Sequence, residues 1–403
     1  ATSDLSYRAI SREEIEYLEA HGCVSKEWCR VFVRTEHTLL PPVKDNSPPH
    51  IVRCFFYGDV FLHGNIHAYD KMEKEPCGLF DSTLVDCMVT GPGVKIIGNK
   101  CLSNVVIQEG AEVVGNGTIE GSNGSKDDMS SPYSCGQTVR VGSEVLGRPV
   151  VIHHDSSMQE VLAQAFPTTT PSPPISSSSS SSSDTTTAID RQAHVAWIQG
   201  DYLSGIRHLL NFNALRRTNT SLCTIIARNA SVRSCPRITT SFIGPCAVVE
   251  NSELDSTAVL TGHTGRTYVM GGSLVERSIL QPGVKVSGHA IVRDSLLMEH
   301  SSVETEGKCC HVIACPDSGI ATGECHHSLL GPFVGFHHQS LLIAALWPKG
   351  RGNVAYGAKI GSNHTGRAAD QECLLGEGVF FGLGSLVKLP VNLSASPYTL
   401  CLL

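Results

Sequence analysis

The chain has 403 residues, a formal net charge of −7 and 17 % charged side chains, against roughly 25 % in typical soluble domains. That balance gives no basic footprint for nucleic acid, and no apolar run approaches the roughly 20 residues that cross a bilayer as a helix. Its 38 glycines point instead to a backbone with many tight corners, where Gly tolerates positive φ.

Residues 1–50 read as a non-repetitive N-terminal helical cap. Ser11 followed by Glu14 is a capping box, with Ile10 and Ile15 placed to staple across it, and the helix should run through Leu18 to a stop at Gly22. Trp28, Val31 and Val33 then suit a cover for an open solenoid end. A first repeat block follows over 51–155. Its clearest stretch runs from Ile107 through Val113 to Ile119, and Val141 resumes the theme after a polar loop at 121–138.

Residues 156–222 read as a helical insertion, with helical patterns at Met158 to Phe166 and at Tyr202, Ile206, Leu209 and Leu210, where Asp201 suits an N-cap. Inside it, the Ser/Thr/Pro tract 167–187 has too few apolar residues to offset its ordering entropy and is expected to be disordered. A second, stronger repeat block spans 223–395, and 396–403 form a tail. Leu274, Leu280, Val286, Val292 and Met298 recur every six residues in it. A small or apolar residue comes four places after the middle ones: Val284, Ala290, Leu296, then Ser302. Neither a helix nor a simple alternating strand has this period. It fits an all-β solenoid, a parallel β-helix whose coil has three short faces with one inward aliphatic per face.

Sixteen cysteines invite a disulfide reading. Many, such as Cys101 and Cys246, fall where a small buried residue is wanted, and reduced buried cysteine behaves as a small hydrophobe. The opening Ala-Thr-Ser-Asp begins no secretory signal, so the expected location is the cytoplasm.

The motifs Ile243-Gly-Pro-Cys-Ala-Val-Val249, Leu330-Gly-Pro-Phe-Val-Gly-Phe336, Val354-Ala-Tyr-Gly-Ala-Lys-Ile360 and Leu375-Gly-Glu-Gly-Val-Phe-Phe381 resemble the hexapeptide repeats of the left-handed β-helix acyltransferases. That superfamily includes the lipid A acyltransferases and the C-terminal domain of the bacterial bifunctional N-acetylglucosamine-1-phosphate enzyme. The stretches from Val334 to Leu342 and from Gly352 to Arg367, with the Tyr7-Arg8 opening, Gly22-Cys23 and Trp28, are closer still to a hexapeptide-repeat family of unassigned function. The resemblance implies a left-handed coil, a homotrimer, acyl-donor grooves between subunits and a histidine as general base. Fold alone does not dictate the reaction.

Acyl transfer from a thioester needs a base for the acceptor, donors for the oxyanion and a slot for the donor's arm. Among eighteen histidines, His337, His338 and His364 are the candidate bases. His337-His338-Gln339 follows the inward Phe336, so an imidazole should face outward. His364 lies in Ser-Asn-His-Thr-Gly-Arg beside Asn363 and Arg367, with Asp370 able to orient a ring. Gln339, Asn353, Lys349 and Arg351 add amide and phosphate contacts. His-Thr-Gly-Arg occurs twice, so His263 and Arg266 join the candidate binding residues alongside Arg367. The bland alternative is that all are corner residues bonding turn carbonyls.

Cys309, Cys310, His311, Cys315, Cys325, His326 and His327 have zinc-type side chains but no Cys-x-x-Cys pair, and the expectation is no metal site. The expected function is acyl, specifically acetyl, transfer from an acyl-coenzyme A co-substrate to a sugar or nucleotide sugar, without nucleic acid or membrane partners. The competing expectation is a non-catalytic ligand-binding or scaffold solenoid.

Overall fold

The computed structural model describes residues 6–41, 49–64, 66, 77–122, 132–144, 147–167, 210, 212–214, 222–361, 371–388 and 390–402. Two compact units emerge: residues 1–132 with 203–256, and residues 133–202 with 257–403. Each contains a parallel β-solenoid built from strands of two to seven residues. No helix of the described residues is long and apolar enough to cross a membrane.

In the first unit, helix α1 (Arg12–Ala20) carries the expected capping box: Ser11 accepts from the Glu14 amide, and the Glu14 side chain accepts from the Ser11 amide. It stops at Gly22, whose φ is +75°. Val24–Ser25 and Val31–Arg34 already pair in parallel with Phe55–Tyr57 and Val60–Leu62, so coiling begins before residue 50. Among the described residues one face of this unit stacks six strands, from Ile51–Val52 to Val248–Glu250.

Side-chain ladders tie its coils at the corners. Asn99 and Asn116 are buried, and Asn116 Nδ2 donates to Asn99 Oδ1 at 2.8 Å. The chain leaves the solenoid after Ser122 and re-enters at Leu222, which exchange backbone hydrogen bonds of 2.8 and 2.9 Å. Val106 therefore pairs directly with Ile225 as though the intervening residues were absent. Residues 168–187 of the serine tract and 201–209 of the second helical pattern lie outside the described residues.

The second unit stacks eight strands on the corresponding face, from Tyr268–Met270 to Leu400–Cys401. Successive coils are offset by seventeen residues at Val286↔Val303, Val292↔Cys309 and Leu280↔Leu297. They tighten to sixteen at Ile320↔Phe336 and widen to eighteen at Phe336↔Val354. A strict six-residue beat would require eighteen throughout. The missing residue shifts the inward position: Val275 is fully buried while Leu274 is half-buried. Ser301 rather than Ser302 is buried at the corner. A one-residue slip moves a side chain to the other face of a strand, which is why the sequence spacing misplaced Leu274 and Ser302 while Met298 is buried as expected.

Val141, expected to resume the repeats, instead ends one arm of an antiparallel hairpin, Gln137–Val141 with Arg148–Ile152. Helix α2 (Met158–Ala165), capped by Ser157 and Glu160, follows it. The hairpin packs on the long strands Lys308–Ala314 and Glu324–Leu330. Gly142 N donates to His327 O at 2.7 Å, and Arg148 pairs with Glu372 at 2.7 Å. Cys309, Cys325 and Cys373 are fully buried core residues, but Cys101 and Cys246 are half-exposed. Cys246 sits at a corner with φ +61°.

Candidate functional site

The corner after Gly335–His337 carries the densest set of expected site residues. Phe336 fills the interior, so strand alternation turns His337 outward. His338 and Gln339 then adopt consecutive positive φ values of 52° and 59° and turn the chain onto the next face. Their amides donate to Ala321 O and Thr322 O of the coil below, at 3.2 and 2.6 Å. All three side chains are exposed, and the two imidazole centroids lie 5.9 Å apart.

Asn353 pairs with Gly335 on the adjoining strand. A Cβ on Gly335 would lie 3.3 Å from His337 Nε2 and 3.7 Å from Asn353 Oδ1, so this glycine leaves room for both groups on one patch. Asn353 Oδ1 is buried and accepts no hydrogen bond from the described residues.

Past the corner, three equivalent triplets from successive coils form a groove of about 330 Å³: Glu306-Gly307-Lys308, Thr322-Gly323-Glu324 and Gln339-Ser340-Leu341. The amides of Ile291, Lys308, Glu324 and Leu341 bond the carbonyls of Gly307, Gly323, Ser340 and Ala358, which stack as one corner column. Lys308 Nζ meets Glu324 Oε1 at 2.6 Å, and His326 Nε2 lies 3.7 Å from Glu324 Oε2. The ion pair raises the Lys308 pKa and, helped by His326, lowers that of Glu324. Ser340 is 2 % exposed, and its hydroxyl has no hydrogen-bond partner among the described residues.

An orphaned buried hydroxyl is costly unless something else bonds it. Beside an ammonium, two carboxylates and an amide, it makes this groove suited to a ligand rich in hydroxyl groups. Sequence reasoning named Gln339 but missed Ser340, Lys308, Glu324 and Glu306. The signal was present as matched polar-small-variable triplets at coil spacing, legible once the offset of sixteen to seventeen residues is known.

The other expected residues scatter. His263 and Arg266 are exposed on a tight turn closed by Gly262 and Gly265. That turn precedes Tyr268–Met270, whose register climbs four coils before reaching Phe336, about 19 Å at the usual strand spacing. The structure does not bring them to the His337 corner within one chain. Lys349 is exposed, while Arg351 pairs with Glu377 at 3.1 Å. His364, Asn363, Arg367 and Asp370 lie outside the described residues.

In the Cys/His-rich strands, Cys309 and Cys325 point inward and His311 stacks on His327 at 4.6 Å. Among the described residues no group of three or more His, Cys, Asp or Glu side chains is placed to hold a metal ion.

No known protein-family profile matches the chain. An uncharacterized protein from Treponema pallidum (strain Nichols) is 37 % identical to it over 71 residues, 18 % of this chain. The match spans about a tenth of that relative's length.

Proposed function

We propose that the chain is a hexapeptide-repeat acyltransferase with left-handed coils, moving an acetyl group from coenzyme A to a hydroxyl or amine of a sugar or nucleotide sugar. The observation that carries this reading is the polar groove lined by Ser340, whose buried hydroxyl has no partner among the described residues, beside the exposed His337-His338 pair. The groove would seat the sugar, whose hydroxyls both donate and accept, as its lining does. One of the two imidazoles would take the acceptor proton, a task for which histidine's ordinary pKa is suited. A homotrimer would bring a neighbouring wall against this corner and form the slot for the pantetheine arm. Lys349, exposed and without a counter-ion in the described structure, is better placed than Arg351 to meet phosphate. Cytoplasmic coenzyme A would be the donor.

The test is calorimetric titration with coenzyme A and acetyl-coenzyme A, combined with sedimentation. Binding by a trimer, with turnover abolished in either His337→Ala or His338→Ala while coenzyme affinity persists, is the expected result. A monomer indifferent to both ligands would overturn the proposal. A second reading, a non-catalytic solenoid whose walls serve as docking surfaces, is favoured by the hairpin and α2. The hairpin already uses the Lys308–Ala314 and Glu324–Leu330 strands in that way, and α2 packs on its Arg148–Ile152 strand.

A further inference from the structure

The base of the 137–152 hairpin gathers a thiol and two imidazoles that the proposed transfer chemistry does not use. Gln137 pairs with Ile152, and Gly136 N donates to Ile152 O at 2.7 Å, so Cys135 arrives opposite His153 and His154. Cys135 Sγ lies 3.4 Å from His154 Nδ1 and 3.6 Å from His153 Nδ1. The turn holding the two histidines is itself fixed. His153 N donates to Ser156 Oγ at 2.8 Å, and Gln281 Nε2 donates to the carbonyls of His154 and Ser156 at 3.2 and 2.9 Å. On the far side of the ring, His154 Nε2 lies 3.9 Å from Asp155 Oδ1.

From this geometry we infer that Cys135 is a nucleophilic thiol with His154 as its base, a covalent-modification site that takes small disulfides at sulfur. A thiol reacts as its thiolate, so an adjacent proton acceptor in a partly open setting is what distinguishes a reactive cysteine from a structural one. Burial lowers the His154 pKa, against the opposing pull of Asp155, which keeps the ring neutral and able to accept a proton near pH 7. Once the imidazolium forms, the Asp155 carboxylate stabilises it. Cys135 is half-exposed, whereas burial pushes the thiols of Cys87, Cys315, Cys325 and Cys373 up to about 12.

In the reaction, the Cys135 proton passes to His154 Nδ1 as sulfur attacks one sulfur of the disulfide. The S–S bond breaks, the departing thiolate recovers the proton, and Cys135 is left in a mixed disulfide. One thiol is consumed and one released.

Cys29, exposed and with no imidazole contact in the described structure, is the internal control. The full chain in EDTA-containing buffer is exposed to limiting oxidised glutathione, and each thiol's modification rate is followed by peptide mass mapping between pH 5.5 and 9. Cys135 is expected to react about tenfold faster than Cys29 at pH 7 and to reach its half-maximal rate at a lower pH. His154→Gln should bring Cys135 down towards the Cys29 rate and leave Cys29 itself unchanged. Should that variant fail to fold, the wild-type pH profiles decide alone. A Cys135 no faster than Cys29, with the same pH midpoint, would overturn the inference.

Discussion

Gly352 lies against the indole of Trp347 so closely that a Cβ there would come within 1.8 Å of Cζ2 and 2.4 Å of Cη2, and 2.4 Å from the Val379 carbonyl. Trp347 is fully buried, and its Nε1 donates to Gly376 O at 2.7 Å. In the basic loop Lys349-Gly-Arg-Gly, this glycine serves packing of the indole rather than an approach to phosphate. Gly352→Ala is expected to cost about 3 kcal/mol through overpacking, measured as a lowered urea midpoint with a red-shifted tryptophan emission. Lys349→Ala, at an exposed position, should leave the midpoint in place.

Glu14 is the second point of leverage. Its carboxylate, 1 % exposed, accepts from Arg8 Nη1 and Nη2 at 2.8 and 2.9 Å, Ser11 N at 2.7 Å, Thr38 Oγ1 at 2.9 Å and Leu39 N at 3.0 Å. Burial alone would raise its pKa. The bonds from Arg8, Ser11, Leu39 and Thr38 together bring it down to about 2. A carboxylate with a depressed folded pKa stabilises fully above its unfolded value near 4.5, and that contribution fades as pH falls toward 2. Glu14→Gln should therefore cost about 2–3 kcal/mol at pH 7, and denaturant titrations at pH 5, 3.5 and 2 should show the gap from wild type closing.

The hairpin over His327 should respond to acid at a higher pH. Burial lowers the His327 pKa, His311 and His326 add to the effect, and Glu144 opposes it. A histidine whose folded pKa is lowered leaves stability intact above the unfolded value near 6.5, and stability declines as pH falls below it. The protection factor of the Gly142 amide, bonded to His327 O, should fall between pH 7.5 and 5. His327→Gln should flatten that dependence, as hydrogen–deuterium exchange would show.

Ser340→Ala tests the groove floor. Removing a buried hydroxyl that none of the described residues bonds should leave stability unchanged or raise it by up to about 1 kcal/mol. Sugar binding at the groove should weaken at least several-fold by calorimetry. A large loss of stability would mean that the hydroxyl has a structural partner and is not available to a ligand.

What the sequence determined by itself is local or periodic. The Ser11–Glu14 capping box needs four consecutive positions, and the Met158 helix needs two turns of its own side chains. The solenoid was legible because every coil repeats the same requirement for inward aliphatics such as Val286 and Val292. Tertiary structure alone decided the coil length, and with it whether Leu274 or Val275 points inward, because parallel pairing between coils sets that one-residue choice. It also decided that Glu306-Gly-Lys308, Thr322-Gly-Glu324 and Gln339-Ser-Leu341 stack into one groove, and that Cys135 meets His154 across a hairpin. Chemistry assembled from residues 16 to 19 positions apart depends on register, and register follows from hydrogen bonding between strands that no short stretch of sequence contains.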